Sequence, residues 1–389
     1  MKSLVLQLGV LLVSCIFPAT SKVASCKFPA IFNFGDSNSD TGGLAAAFDT
    51  VKPPYGETFF QTPAGRYSDG RLIIDFIADS YGLPLLSPYL DSLSINFSHG
   101  ANFATAASTL VDQNSSLFQG GYSPFFLQVQ TRQFSQFVSR SQIVAKRGDF
   151  FRSLMPKEDY FNESLYTIDI GQNDLTAGLF PGKSLEEFLP QTLAEFADGV
   201  RASYEKGARY FWVHKTGPLG CLAYALLRRN LSNAGELDPA GCSAFYNNAS
   251  RRYNEGLNET VGVLRKELPH AVITYVDVFA AKYALFLEPA KYGFEDPLMV
   301  CCGYGGGKYN FDYDVRCGNT AKRNGGTVLL GKSCRRPSEK VVWDGTHYTE
   351  AANKVVFKLI STGDFSYPHR SFNAACKKSG RKMVLSGDV

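Results

Sequence analysis

Short apolar runs alternate with helical patterns along most of the chain, and this alternation restricts the possible folds more than any other feature. A buried strand followed by a helix, repeated several times, predicts a parallel sheet covered by helices on both faces. The expected fold is therefore α/β, a three-layer α/β/α doubly wound sheet of mainly parallel strands. Ligands bind such sheets beyond the carboxyl ends of the strands. The predicted strands are Ala30 to Phe34, Leu165 to Ile170, Tyr210 to His214 and Val272 to Val276.

Capping and breaking residues locate several of the helices. Asp69 is predicted to cap a helix that ends at Gly82. Ser184 and Glu187 form a capping-box pattern ahead of a long helix, and Pro190 is expected to kink that helix or to mark its start. Further helices are predicted for residues 242–268 and 349–360.

The glycine-rich region from Cys301 to Lys308 and the segment that continues to Arg336 show no periodicity. No helix follows the glycines, so this region is predicted to be a long disulfide-tied loop and not a phosphate-binding turn. No repeat or proline-rich linker divides the chain. A single domain over residues 26–389 is the expected organisation.

The amino terminus has the pattern of a secretory signal. Lys2 precedes an apolar stretch from Leu4 to Phe17, and small residues follow. The stretch is shorter than the roughly 20 residues of a spanning helix, and the tail from Lys377 to Val389 is too polar for a lipid-anchor signal. Residues 1–25 are therefore predicted to be a signal peptide. The mature protein is expected in the extracellular space, cell wall or vacuole, with no stable membrane anchor.

Cysteine usage agrees with export. Removal of Cys15 with the signal leaves an even set of eight, which predicts disulfides in an oxidising compartment, although their connectivity stays open. A zinc site formed by four of them is the alternative, but adjacent cysteines lack ordinary ligand spacing. The eight are Cys26, Cys221, Cys242, Cys301, Cys302, Cys317, Cys334 and Cys376, of which the zinc alternative would use Cys301, Cys302, Cys317 and Cys334.

Surface chemistry points to a glycoprotein that does not bind nucleic acid. Forty basic and 36 acidic residues give a formal charge of +4 without long runs, unlike the basic patches of nucleic-acid binders. Asn-x-Ser/Thr sequons predict N-glycans if the chain is exported. They stand at Asn96, Asn114, Asn162, Asn230, Asn248 and Asn258.

Three polar motifs stand where a doubly wound sheet would bring them together. Ser37 lies in Gly-Asp-Ser directly after the first strand, and Asn173 follows the strand from Leu165. Asp344 and His347 stand one turn apart before the last helix. A serine nucleophile needs a base, and the base needs a carboxylate that fixes its tautomer, while an amide can hold an oxyanion. Individually, Gly-Asp-Ser can be an ordinary turn and Asn173 a helix cap.

Together these residues resemble the plant branch of the GDSL esterase/lipase family, also called SGNH hydrolases, from about Lys27 to Thr362. Framework motifs carry the same resemblance, and the run from Asn38 to Gly43 is most similar to members named as early-nodulin-like esterases, acetylesterases and an alpha-fucosidase. The framework motifs are Pro53-Pro54-Tyr55-Gly56, Gly65-Arg66-Tyr67-Ser68-Asp69-Gly70-Arg71 and Gly217-Pro218-Leu219-Gly220-Cys221.

The resemblance implies a flavodoxin-like SGNH hydrolase fold and a secreted serine esterase. It implies Ser37 as nucleophile, His347 as base and Asp344 as the residue that orients the base, acting through an acyl-enzyme. The oxyanion hole would comprise the Ser37 amide, the Asn173 side chain and a backbone amide at Ala107. This sequence departs from the family at the last position, because Ala106 and Ala107 replace the usual glycine pair. A positive φ would strain an alanine.

The expected substrate is an ester of a small acyl group on a glycoside, polysaccharide or lipid, and the chemistry requires no cofactor or metal. A fucosidase-like glycosidase is the first alternative, since Asp36, Asp40, Asp174 and Asp344 offer carboxylate pairs. An acyltransferase would use the same serine chemistry. A non-catalytic glycoprotein on the same scaffold is the remaining alternative.

Overall fold

The computed structural model describes residues 26–93, 96–114, 121–229 and 235–376. The predicted signal peptide and Asn230 lie outside the described residues. The strands are β1 (Ile31–Gly35), β2 (Gly100–Asn102), β3 (Leu165–Asp169), β4 (Tyr210–His214), β5 (Val272–Val276), β6 (Thr320–Arg323), β7 (Gly326–Leu329) and β8 (Ser366–Tyr367).

The main sheet has the strand order β2-β1-β3-β4-β5-β8. Its first five strands pair in parallel, and the two-residue β8 pairs antiparallel to β5 at one edge. The residues of β1, β3 and β5 are all buried, as expected for strands that are covered on both faces. β2 lies on one side of β1, and β3, β4 and β5 follow in order on the other side, so the sheet is doubly wound. The predicted fold class is confirmed.

Helices form the two outer layers. On one side α3 packs against α7 and α7 against α9, while α2 and α10 both pack against α11 in the other layer. The helices are α1 (Gly43–Ala47), α2 (Ile73–Ser80), α3 (Leu127–Ala145), α4 (Asp149–Leu154), α5 (Tyr160–Glu163), α6 (Gln172–Leu179), α7 (Leu185–Glu205), α8 (Ala223–Leu226), α9 (Ala244–Glu267), α10 (Val278–Leu287) and α11 (Glu350–Ser361).

Aromatic side chains join the first strand to the α3 layer. Phe32 and Phe34 of β1 both contact the ring of Phe134 on α3, with ring centroids 5.3 and 5.7 Å apart. Phe34 also stacks on Phe103, which follows β2. All four rings are buried. Large buried rings of this kind fix the position of β1, the strand that leads into the Gly-Asp-Ser motif, against its neighbours.

The predicted capping role of Asp69 is wrong. Helix α2 begins at Ile73, and the N–H of Leu72 donates to Asp75 Oδ2 at 2.9 Å. Asp69 lies three residues too early to cap α2, and its Oδ1 accepts the N–H of Glu350, at the start of α11, at 2.7 Å. The predicted end is confirmed, because Gly82 follows the helix with a φ of 68°.

The capping box at Ser184 and Glu187 is confirmed. The N–H of Ser184 donates to Glu187 Oε1 at 2.7 Å, and α7 begins at the next residue, Leu185. Pro190 therefore does not mark the start of the helix but lies within its second turn. Proline has no N–H, so the carbonyl of Glu186, four residues earlier, receives no hydrogen bond from residue 190.

The segment up to Arg336 is not entirely a loop. It contains the β6–β7 hairpin, whose turn residues Asn324 and Gly325 have φ values of 48° and 76°. Two successive positive φ values define the tight turn that Asn-Gly favours, and this pair was the available sequence signal.

Four disulfides pair the eight cysteines left after the predicted signal. Cys301–Cys334 and Cys302–Cys317 are nested and tie the hairpin segment at its base, so the four cysteines of the zinc alternative are all used in disulfides. The other two pairs are Cys221–Cys242 and Cys26–Cys376. Over the described residues, none of the helices has the length and apolar character needed to cross a bilayer.

Candidate active site

Ser37 lies in a tight turn at the carboxyl end of β1. The carbonyl of Asp36 accepts the N–H groups of Ser39 and Asp40 at 3.0 and 2.9 Å, and the N–H of Asp36 donates to Asp169 at the end of β3. Ser37 is 4% exposed. The structure therefore places Ser37 at the sheet edge that the sequence predicted.

Gly35 is required for this turn. A Cβ at Gly35 would clash with the carbonyl oxygen of Asp169 and lie 2.5 Å from Ser39 Oγ. The turn can therefore approach the neighbouring strand only because residue 35 has no side chain.

A row of buried polar side chains crosses the sheet beneath the serine turn. Asn33 of β1 donates to Asn102 Oδ1 at 2.7 Å and accepts from Thr167 at 2.6 Å, in register with both neighbouring strands. Asn102 in turn donates to the carbonyl of Ser39 at 2.7 Å. Satisfied buried networks of this kind are rigid. The row holds the loop that carries Ser37 against the sheet.

His347 and Asp344 form a buried pair before α11. The distance from His347 Nδ1 to Asp344 Oδ2 is 2.7 Å, and the other carboxylate oxygen accepts the backbone N–H groups of Thr346 and His347 at 2.9 Å. These contacts fix the carboxylate on the Nδ1 side of the ring. With Nδ1 protonated, Nε2 is left as the basic nitrogen.

Tyr55 is a further partner of Asp344 and was not singled out as a site residue from the sequence. Its hydroxyl donates to Asp344 Oδ2 at 2.7 Å. Burial alone would raise the pKa of Asp344, but the charge of His347 and hydrogen bonds from His347 and Tyr55 lower it to about 2. Burial and Asp344 raise the pKa of Tyr55, so the phenol stays protonated as a donor. The available signal was its place in the Pro-Pro-Tyr-Gly motif.

Asn173 lies next to the alanine pair. Its Nδ2 donates to the carbonyl of Ser108 at 2.9 Å, which fixes the amide beside the turn at residues 106–107. Ala107 has a φ of 61°, in the left-handed region where glycine is usual. The N–H of Ala106 donates to Asp40 Oδ2 at 2.7 Å. Ala107 thus keeps the backbone conformation that a glycine would take, at the cost of strain.

Three amide groups at this edge of the sheet each have an N–H without an acceptor among the described residues. In the part of the chain that the structure describes, no acceptor takes the backbone N–H of Ser37 or of Ala107. Asn173 Nδ2 carries two hydrogens and uses one of them for Ser108. Thr105 donates to the carbonyl of Gly35 at 3.3 Å, which joins the alanine turn to the serine turn.

The segment between residues 66 and 71 connects the carboxyl-terminal loop to the serine loop. The Tyr67 ring packs on the His347 ring with centroids 5.3 Å apart, and burial together with the charges of Asp40 and Asp344 raises the pKa of Tyr67. Ser68 Oγ donates to the carbonyl of Tyr348 at 3.0 Å. Tyr67 therefore lies between the turn that contains Asp40 and the loop that contains His347.

A doubly wound sheet with a serine turn at a strand end, amide donors beside it and a buried His–Asp pair has the elements that serine-dependent hydrolases use. A family model described as GDSL-like lipase/acylhydrolase matches residues 31–360, and the chain belongs to this family. The match to this family and to plant relatives named as esterases shows that the protein is a carboxylic ester hydrolase.

Relatives from plants match over nearly the whole chain. GDSL esterase/lipase ACHE of Zea mays is 52% identical, covering 92% of this chain and 91% of the relative. A protein of Hevea brasiliensis named esterase is also 52% identical, over 96% of this chain and 95% of its own. A protein of Arabidopsis thaliana named alpha-L-fucosidase 3 is 48% identical, over 94% of this chain and 96% of its own.

Proposed function

We propose that this esterase cleaves small acyl esters carried by a glycoside, polysaccharide or lipid through an acyl-enzyme on Ser37. The observation that carries the proposal is the 2.7 Å contact between His347 Nδ1 and Asp344 Oδ2. A carboxylate held on Nδ1 fixes the tautomer in which Nε2 accepts a proton, and it stabilises the imidazolium that forms.

In the first step Ser37 Oγ bonds to the ester carbonyl carbon while its proton passes to His347 Nε2. The C–O bond to the alcohol then breaks, and the same proton moves to the leaving oxygen. Water attacks the acyl-enzyme with His347 again as base, which releases the acid and restores Ser37. Asp344 stays ionised throughout, in agreement with its low pKa.

The oxyanion of each tetrahedral intermediate is assigned to the spare N–H groups of Ser37, Ala107 and Asn173. Donors that are already fixed before reaction stabilise developing charge without a reorganisation cost. The Ser108 contact of Asn173 and the Asp40 contact of Ala106 supply this rigidity.

Substitution of Ser37 tests the assignment. Ser37→Ala is expected to abolish hydrolysis of p-nitrophenyl acetate and labelling by a fluorophosphonate. Ser39→Ala is the matched control, because the Ser39 hydroxyl is buried and bonds no atom of the described residues. It should retain both properties. A Ser37→Ala protein that hydrolyses the ester at the parent rate rejects the proposal.

The fucosidase name of one relative motivates a parallel assay with p-nitrophenyl fucoside. Three of the four carboxylates that a glycosidase could use are fully engaged: Asp40 bonds four backbone N–H groups, Asp174 bonds those of Leu110 and Val111, and Asp344 bonds His347. The fourth, Asp36, is buried and bonds Asn38 through Oδ1 alone, so the arrangement offers no free carboxylate pair. We therefore expect ester cleavage without fucoside cleavage. A chain-length series of nitrophenyl esters beside acetylated xylan would define the acyl group and its carrier.

Export and glycosylation belong to the same proposal. The five sequon asparagines within the described residues have exposed side chains: Asn96, Asn114, Asn162, Asn248 and Asn258. Exposure is the condition that a glycan requires. Expression in plant cells should yield a secreted protein that begins near Cys26 and loses mass on treatment with a glycan-removing enzyme. Retention of residues 1–25 would contradict export through a cleaved signal.

A further inference from the structure

Lys282 is a buried lysine on the apolar helix α10. It is 2% exposed, and its helix otherwise consists of apolar residues and Tyr283. Moving an ammonium out of water is unfavourable unless charges and hydrogen bonds compensate for it. The partners of Lys282 therefore indicate why a cation is kept at this position. A lone lysine within an apolar helix was the available sequence signal.

The Lys282 ammonium contacts both loops of the candidate active site. Its Nζ donates to Asn38 Oδ1 at 3.3 Å, on the residue that follows Ser37. The same Nζ lies 4.3 Å from the ring centroid of Tyr348, the residue that follows His347. A cation over an aromatic ring is attracted to it, more strongly where water is excluded.

Two buried carboxyl groups interact with this ammonium. Asp36 directly follows β1 and Asp169 is the last residue of β3, and both interact electrostatically with Lys282. Asp36 Oδ1 accepts the Nδ2 of Asn38 at 2.9 Å. His214, at the end of β4, lies 3.4 Å from Asp169 Oδ2. Lys282 thus interacts with carboxyl groups at the ends of β1 and β3, and it bridges the loop that contains Ser37 to the loop that contains His347.

We propose that Lys282 is a positioning residue that holds the Ser37 loop and the His347 loop in register through Asn38 and Tyr348. This proposal rests on the proposed roles of Ser37 and His347. The ammonium touches neighbours of these residues and not the reacting atoms. Small errors in the relative position of nucleophile and base are sufficient to slow a reaction on the order of 100-fold.

A purely structural role for Lys282 is the competing explanation. In that case its loss would lower the melting temperature and the fraction of folded enzyme, but each folded molecule would turn over normally. A positioning role lowers the turnover of each folded molecule. Counting active sites by fluorophosphonate titration and dividing the rate by that count separates the two.

The experiment compares Lys282→Met, Asn38→Ala and the double variant, with Lys354→Met as control. Lys354 is exposed on α11, the helix that follows the His347 loop. We expect Lys282→Met to lower kcat per titrated site for p-nitrophenyl acetate on the order of 10 to 100-fold, with KM changed less than about threefold. Lys354→Met should match the parent.

The double variant tests the bridge itself. Asn38→Ala removes the acceptor of Lys282 but keeps the ammonium beside Asp36 and Asp169, so it tests the bridge even if Lys282→Met does not fold. It should lower kcat per titrated site, and the double variant should lose less than the product of the single losses. An unchanged kcat per site in Asn38→Ala, or losses that multiply fully, overturns the proposal.

Ser37→Ala, measured in parallel, keeps the two proposals apart. If Ser37→Ala loses labelling and activity while Lys282→Met turns over like the parent, only the positioning role fails. If Ser37→Ala remains active, the proposed function fails whatever the result at Lys282.

Discussion

Tyr55 and His347 bond the same carboxylate oxygen of Asp344, each at 2.7 Å, from points 292 residues apart in the chain. The carboxylate that orients the proposed base is therefore itself held by a residue from the amino-terminal part of the molecule.

Tyr55→Phe should lower both stability and turnover. The change removes a hydrogen bond to a buried carboxylate, which is worth about 1.5 to 3 kcal/mol in the free energy of unfolding, and it loosens Asp344 behind His347. We expect kcat to fall on the order of 10-fold. Urea denaturation and nitrophenyl ester kinetics measure the two effects. Tyr67→Phe is the matched control, because the Tyr67 hydroxyl makes no hydrogen bond to the described residues. Equal behaviour of the two variants would contradict a role for Tyr55.

Ala107→Gly should stabilise the protein, although most substitutions to glycine do the opposite. The φ of 61° at Ala107 is strained for a residue with a Cβ, and glycine removes that strain. We expect a gain of about 0.5 to 1 kcal/mol in the free energy of unfolding, with esterase activity retained. Ala106→Gly is the control; Ala106 does not have a positive φ and should lose about 1 kcal/mol. Equal destabilisation of Ala107→Gly and Ala106→Gly would contradict backbone strain at Ala107.

Asn173→Ala should reduce kcat far more than it reduces stability. Loss of a preorganised oxyanion donor costs on the order of 100 to 1000-fold in kcat, whereas the lost contact with Ser108 is one ordinary hydrogen bond worth about 1 kcal/mol. Steady-state kinetics and thermal denaturation of the same preparation measure both. A kcat of Asn173→Ala close to that of the parent would contradict the assignment of Asn173 to the oxyanion hole.

The protein should be more stable at pH 5 than at pH 7.5. Burial is the main cause of the raised pKa values of Asp36, Asp69 and Asp174, which are about 7, about 6 and about 7. In the unfolded chain these carboxyls lose their protons near pH 4, but in the folded protein they keep them to higher pH. Between about pH 4 and pH 7 the folded state therefore binds more protons than the unfolded state. The contribution of these carboxyls to stability is greatest at low pH and falls as the pH rises towards 7.

Asp344 does not oppose this trend, because its pKa of about 2 leaves it ionised in both states above pH 5. We expect the melting temperature to rise by several degrees from pH 7.5 to pH 5, and Asp36→Asn to reduce this rise. A melting temperature that falls steadily over the same range would contradict the raised pKa values.

Elements with a strong local pattern could be predicted from the sequence within one or two residues. Tyr210–His214 and Val272–Val276 are strands with the predicted bounds, and the Ser184 capping box begins α7. Predictions failed where a tertiary contact competes with a local one. Asp69 has the chemistry of a cap, but Asp75 supplies the carboxylate for α2 and Asp69 bonds α11 instead.

The sequence by itself determined the doubly wound class and the candidate residues Ser37, Asn173, Asp344 and His347, because hydrophobic periodicity and motif chemistry are local properties. Only the tertiary structure decided the disulfide pairs, the positive φ of Ala107 and the roles of Tyr55 and Lys282 as partners of the site. These features depend on contacts between segments far apart in the chain, and the energy of a buried charge or a strained backbone is set by neighbours that folding brings together.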